Sequence, residues 1–247
     1  RRPAAATLWL SEPDKTMHAV PLGDPRHFAA LALVDELVGE VAHAAELLRD
    51  AGHDVLLLVG SDHGHEAVTE VVPVERRLFE AGFKRTLDGG DIIVAPQGSA
   101  AFVHFAPAAM DRLDEVIDWF DRQGWVGGVH HGERLTRLGQ AVADDIVMIE
   151  MAKTPGTNVN GVPGLTAMAV RFSQDEEEIR RDCGIHGGRG FWESRPMLLA
   201  QGSGFEAGAV STAATSIVDI APTAADHLGL PLDGFDGRPL QHAPYGR

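Results

Sequence analysis

The chain has 247 residues, with 21 Lys and Arg against 36 Asp and Glu, a formal net charge of −15; this excludes a general duplex nucleic-acid binder, which needs a basic face to displace counterions from phosphates. Hydrophobic residues make up 44% and charged residues 23%, the balance of a globular protein rather than of a disordered or fibrous chain. No stretch approaches the roughly 18 to 20 apolar residues of a membrane span, and the single cysteine, Cys183, excludes an internal disulfide without indicating a compartment.

Residues 5–10 are apolar and end at Ser11-Glu12-Pro13-Asp14, which predicts a buried strand broken by proline. Asp24-Pro25 then supplies a cap and a first helical residue, and Gly52 a stop. Between them Phe28, Leu31, Val34, Leu37, Val38, Val41, Leu47 and Leu48 recur every three or four residues, predicting a long helix packed on a sheet. Residues 54–60 are apolar without alternation, as in a parallel strand covered on both faces. Strand, helix and strand together predict a right-handed βαβ unit, whose reactive groups sit beyond the carboxyl ends of the strands.

The middle of the chain changes texture. A hairpin is predicted from residues 91–95 and 100–105, then a helix over 108–123, then strands at 145–151 and 165–172 around turn signals at Thr154-Pro155-Gly156 and Asn160-Gly161. The acidic run at 175–178 suits the first turn of a helix. Residues 195–200 read as a strand, and 216–228 as a helix stopped by Gly229. The expected organisation is an α/β core over residues 1–70 and 172–247, with an α+β insertion at 71–171.

Three short stretches carry candidate chemistry. Asp14 and His18 are four apart, so a helical turn places both on one face. Asp62 and His63 emerge where an apolar strand ends. His186 lies in a glycine loop, Gly184-Ile185-His186-Gly187-Gly188, whose backbone can approach other groups closely.

Taken in this order, Asp14-x-x-x-His18, Asp62-His63-Gly64 and the late His186-Gly187 resemble the metal-ligand pattern of the alkaline phosphatase superfamily. The wording around them is similar to its type I phosphodiesterase and nucleotide pyrophosphatase branch, and so is the tail from Asp219-Ile220-Ala221-Pro222-Thr223 to Asp236-Gly237-Arg238-Pro239-Leu240. The resemblance implies a mostly parallel central sheet flanked by helices, and hydrolysis of a small-molecule phosphate ester. It implies that Asp14, His18 and His186 bind one divalent metal, and Asp62 and His63 a second. Zinc is the metal implied, because a nitrogen and carboxylate pair of sites can clamp both oxygens of an in-line phosphoryl displacement; manganese is second. Other activities of the superfamily (phosphonate hydrolase, phosphomonoesterase, phosphomutase) and a non-catalytic metal-binding domain are the alternatives.

The chain departs from the branch at Met17, where it usually has glycine, at Val20-Pro21 in place of Gly-Pro, and at His65, where it often has methionine. In the family a Thr or Ser nucleophile and one further Asp ligand precede the Asp-x-x-x-His motif. Only thirteen residues precede Asp14 here and none fits, so the chain is expected to be the C-terminal part of a longer enzyme or a relative that has lost its nucleophile. Ser203 lacks the Gly-x-Ser-x-Gly setting of a hydrolase elbow, and Cys183 reads as a small core residue. Phe191-Trp192 read as a pocket mouth able to stack on an aryl or base group, whereas His130-His131, Arg189 and Arg195 read chiefly as structural.

Overall fold

The computed structural model describes residues 3–173 and 180–242, so the acidic run at 175–178 lies outside the described residues. In chain order the elements are α1 (Asp14–Ala19), α2 (Pro25–Asp50), β1 (Leu57–Gly60), β2 (Glu66–Pro73), α3 (Val74–Glu80), β3 (Ile92–Pro96) and β4 (Ala100–Phe105). They continue with α4 (Leu113–Asp121), β5 (Val126–His131), β6 (Ile146–Met151), β7 (Lys153–Thr157), β8 (Pro163–Val170), β9 (Gly184–Ile185), β10 (Leu198–Gln201) and α5 (Ile220–His227). Among the described residues, no helix is long and apolar enough to cross a membrane. The chain divides into two compact units, one of residues 1–10, 32–62 and 196–247, the other of residues 11–31 and 63–195.

The first unit contains most of α2, whose predicted ends are observed. The Arg26 amide donates to Asp24 Oδ1 at 2.9 Å, Pro25 opens the helix, and Gly52 leaves it with φ of +88°, a conformation open to glycine without strain. The apolar stripe, expected to pack on a sheet, instead stays largely at the surface, with Phe28 60% and Leu47 56% exposed.

The predicted βαβ unit is not formed. Residues 5–10 make no strand and Trp9 is 71% exposed, while β1 pairs antiparallel with β10 in a two-stranded ribbon. An unbroken apolar run gives a strand's tendency to be buried but not its partner, and pairing direction depends on which segment supplies the ladder. The closing helix is as expected. Ser216 and Asp219 form a reciprocal capping box, and the Arg238 amide donates to Asp219 Oδ1 at 2.9 Å. The Leu240 amide donates to Thr223 Oγ1 at 2.9 Å, so the tail turn is tied back onto α5.

The second unit holds two four-stranded sheets, in the orders β7-β8-β2-β9 and β3-β4-β6-β5. The β3–β4 hairpin and the helix ending at Asp121 stand where the sequence predicts them, although the latter begins as a 3-10 turn at Pro107–Arg112. Only β2 and β8 run parallel among the described pairs. The expectation of a mostly parallel sheet is therefore corrected: the fold is mixed α/β with mostly antiparallel sheets.

Both sheets share one core. Val72, Ala167 and Ala169 of the first pack in the same buried cluster as Val94, Val103 and Ile149 of the second, with Phe120 of α4. Buried Glu75 is paired twice: the buried Lys84 Nζ donates to its Oε1 at 2.7 Å, and the exposed Arg171 Nε to its Oε2 at 2.5 Å. Phe120 has no accessible surface, and removing a buried aromatic ring costs about 3 to 5 kcal/mol. Phe120→Ala is expected to lower the unfolding free energy by about that amount, read as a lower urea midpoint at unchanged slope.

Candidate metal centre

Asp14 is the centre of the site. It opens α1, where the Thr16 amide donates to Glu12 Oε2 at 3.1 Å and so satisfies an early helical amide. One turn on, His18 Nε2 stands 3.3 Å from Asp14 Oδ1, as the four-residue spacing predicts. Two more imidazoles approach the same oxygen, His65 Nε2 at 3.2 Å and His186 Nε2 at 3.6 Å. His18 Nε2 and His186 Nε2 are 3.2 Å apart, and the rings of His63 and His186 stack with centroids 3.5 Å apart.

The backbone selects the nitrogen that each ring presents. Gly184 O lies 2.8 Å from His18 Nδ1 and Gly64 O lies 3.1 Å from His63 Nδ1. A carbonyl can only accept, so each Nδ1 carries the proton and donates it. Each neutral ring then presents Nε2 as a lone pair, an arrangement common among metal-bound histidines.

The donor set fits a divalent cation. Asp14 Oδ1 is buried and has no hydrogen bond, although imidazole nitrogens surround it. With Nδ1 of His18 donating to Gly184 O, its Nε2 lone pair faces the Asp14 carboxylate, an approach that a positive charge between them would relieve. Donors held about 2.05 Å from a tetrahedral cation stand about 3.3 Å apart, close to the 3.2 to 3.6 Å observed here. Two donor groups, with one ligand atom from each residue, lie within 4.8 Å: Asp14 with His18 and His186, and Asp14 with His63 and His65. The structure thus brings together Asp14, His18, His63 and His186 of the five residues singled out in the sequence. Asp62 is exposed, is the last residue of its segment of the first unit, and belongs to neither donor group.

His65 is the residue that sequence reasoning passed over as a mere departure from the family wording. Its spacing of two from His63 was the available signal, because alternate residues of an extended chain share a face. Burial holds its pKa down at about 4, helped by the neighbouring His18 and His186 and opposed by Asp14, so the ring is neutral at physiological pH.

Buried charge holds the surrounding loop. Glu193 accepts from Lys153 Nζ at 2.5 Å, Ser99 Oγ at 2.5 Å, the Gly190 amide at 2.8 Å and the Gly188 amide at 3.1 Å. Lys153 also pairs with Glu66 Oε2 at 2.8 Å, and the Trp192 amide donates to Glu66 Oε1 at 3.2 Å. Glycine is required in this loop. A Cβ on Gly187, at φ of +116°, would stand 1.9 Å from Gln97 O, and one on Gly190 would stand 2.1 Å from Glu66 Oε1.

Glu66, Lys153, Pro155, Gly164, Phe191 and Trp192 line a concavity of about 440 Å³, so the two aromatics do border a pocket. Arg195 lies over the Phe191 ring at 3.6 Å. The other candidates have local partners: His130 Nε2 with Glu150 Oε1 at 2.7 Å, and Ser203 Oγ with Asp54 Oδ1 at 2.5 Å. Cys183 is buried, and burial pushes its thiol pKa up, opposite to a reactive thiolate.

Burial raises the pKa of Glu193, but its bonds from Lys153 and Ser99 outweigh that and hold it below the ordinary 4.5. The unfolded chain therefore takes up this proton first as pH falls through the ordinary value, and stability falls with it. Stability measured by denaturant is expected to fall as pH drops below the ordinary value of 4.5, and less steeply in Glu193→Gln.

A family model described as type I phosphodiesterase / nucleotide pyrophosphatase matches residues 1–125, taking in Asp14, His18, Asp62, His63 and His65 and stopping short of His186. No curated protein matches the chain. With half its length matched, including the Asp14 and Asp62 motifs, the chain belongs to the type I phosphodiesterase / nucleotide pyrophosphatase family.

Proposed function

We propose that the chain forms the metal-binding part of a phosphodiesterase or nucleotide pyrophosphatase that uses two divalent cations on a small-molecule phosphate ester. The observation that carries this reading is the Asp14 carboxylate oxygen, buried without a hydrogen bond and approached by three imidazole nitrogens. Asp14, His18 and His186 are assigned to one cation, and Asp62 and His63 to the other. Zinc is the proposed metal, since four-coordinate nitrogen and carboxylate sets suit it, and manganese is the second candidate.

When bound, such a pair supplies Lewis acidity to the attacking and leaving oxygens of an in-line displacement. The chain's own part is to hold its donors ready. Gly184 O and Gly64 O set the tautomers of His18 and His63, and Glu193 ties down the loop that follows His186. The apolar faces of Phe191 and Trp192 suit an aryl or base group of the ester. Turnover is to be measured on the natural protein.

With bis(p-nitrophenyl) phosphate, Asp14→Ala and His186→Ala are each expected to lower kcat/KM by at least about 100-fold with little change in melting temperature. Chelation should abolish turnover and zinc restore it. Substitutions that change stability but not turnover would identify a non-catalytic metal-binding domain, and faster cleavage of p-nitrophenyl phosphate would make the chain a monoesterase.

A further inference from the structure

One histidine outside both family motifs faces the central carboxylate. The His65 side chain is only 8% exposed, with Nε2 3.2 Å from Asp14 Oδ1. Its Nδ1 is buried and has no hydrogen-bond partner. The ring stands steeply inclined to those of His18, His63 and His186, with centroids 5.2, 5.4 and 5.2 Å away. Space for it comes from Gly184, where a Cβ would stand 2.7 Å from His65 Nδ1 and 2.9 Å from Leu22 Cδ2.

A ring buried to this degree is ordinarily anchored by hydrogen bonds, because leaving its polar atoms unpaired costs about 1 to 3 kcal/mol each. The approach of Nε2 to Asp14 is not such an anchor, since that oxygen has no hydrogen bond. A cation placed among Asp14, His63 and His65 satisfies the carboxylate oxygen and Nε2 together, and the donor atoms of these three residues all lie within 4.8 Å of one another.

We infer that His65 is a metal ligand, forming with His63 and Asp14 a second cation position that shares the Asp14 carboxylate with the His18 and His186 position. Two imidazoles make this position richer in nitrogen than a His and Asp pair alone. It therefore takes zinc, cobalt or nickel ahead of magnesium or calcium, which prefer oxygen ligands. This inference rests on the metal-binding reading proposed above and departs from it at the second position, where Asp14 and His65 join His63 and Asp62 is not in the donor group.

The test is a Co²⁺ titration of the metal-free 247-residue chain, read by visible absorption and by metal per chain after gel filtration. The wild type is expected to bind two equivalents. His65→Phe, which keeps a ring but removes the lone pair, should lose one equivalent or weaken it at least about tenfold, while His18→Ala weakens the other. In His65→Gly, added imidazole should restore the lost equivalent and its absorption. Unchanged count, affinity and spectrum in His65→Phe would show that His65 only packs against Asp14, and so would a loss in His65→Gly that imidazole does not repair. Either result overturns this inference while leaving the His18 and His186 position intact. A wild type that binds no cobalt or zinc overturns the metal-binding reading itself, and this inference with it.

Discussion

The Lys153 ammonium between two buried carboxylates is the contact on which the arrangement of the site depends. Glu66 and Glu193 are each 2% exposed, and two uncompensated carboxylates so deep would be strongly destabilising. Lys153 answers both, at 2.8 and 2.5 Å. Glu66 directly follows His65 at the start of β2, and Glu193 receives the amides of Gly188 and Gly190 just after His186. One cation thus ties together the two segments that bring histidines to Asp14. The hairpin turn joins the same construction, since the Ser99 amide donates to His186 O at 3.2 Å and Ser99 Oγ–H to Glu193.

This rigidity matters because the histidine cluster is not stable by its own interactions. His65 and His186 each lie within 3.5 to 5.4 Å, between ring centroids, of His18, of His63 and of each other. Protonating several would set like charges against each other, and a neutral His18, whose Nδ1 proton goes to Gly184 O, turns a lone pair toward the Asp14 carboxylate. A frame that holds such donors in place has met the cost of ordering before a ligand arrives, which is how preorganised sites gain affinity. The two carbonyls that set the tautomers of His18 and His63 come from Gly184 and Gly64, so the frame reaches the chemistry through backbone atoms that sequence patterns do not display.

Much of the site was legible in the sequence because its parts are local. The Asp14 and His18 spacing is a helical turn, and the structure supplies that turn. The glycines around His186 signalled close backbone approach, which is what Gly187 and Gly190 provide. His65 was missed because its role depends on Gly184, a residue more than a hundred positions away that leaves room for the ring. Lys153 and Glu193 were missed for a similar reason, since an ion pair between distant segments leaves no periodic trace. Among the larger elements, α2 and the β3–β4 hairpin carry their own caps and turns, and they stand where composition placed them.

By itself the sequence determined the family, the acid and histidine motifs, and the ends of α2 and of the β3–β4 hairpin, because each depends on residues near one another in the chain. Only the tertiary structure decided strand direction and partner choice. β1 reads as a covered parallel strand but lies antiparallel to β10, and the apolar stripe of α2 reads as buried but is largely exposed. Apolar character states that a segment gains by burial, whereas the surface that buries it is supplied by distant chain. Tertiary structure likewise decided that His65 joins Asp14, because the convergence of imidazoles on one oxygen is set by sheet register and by a glycine on the facing strand.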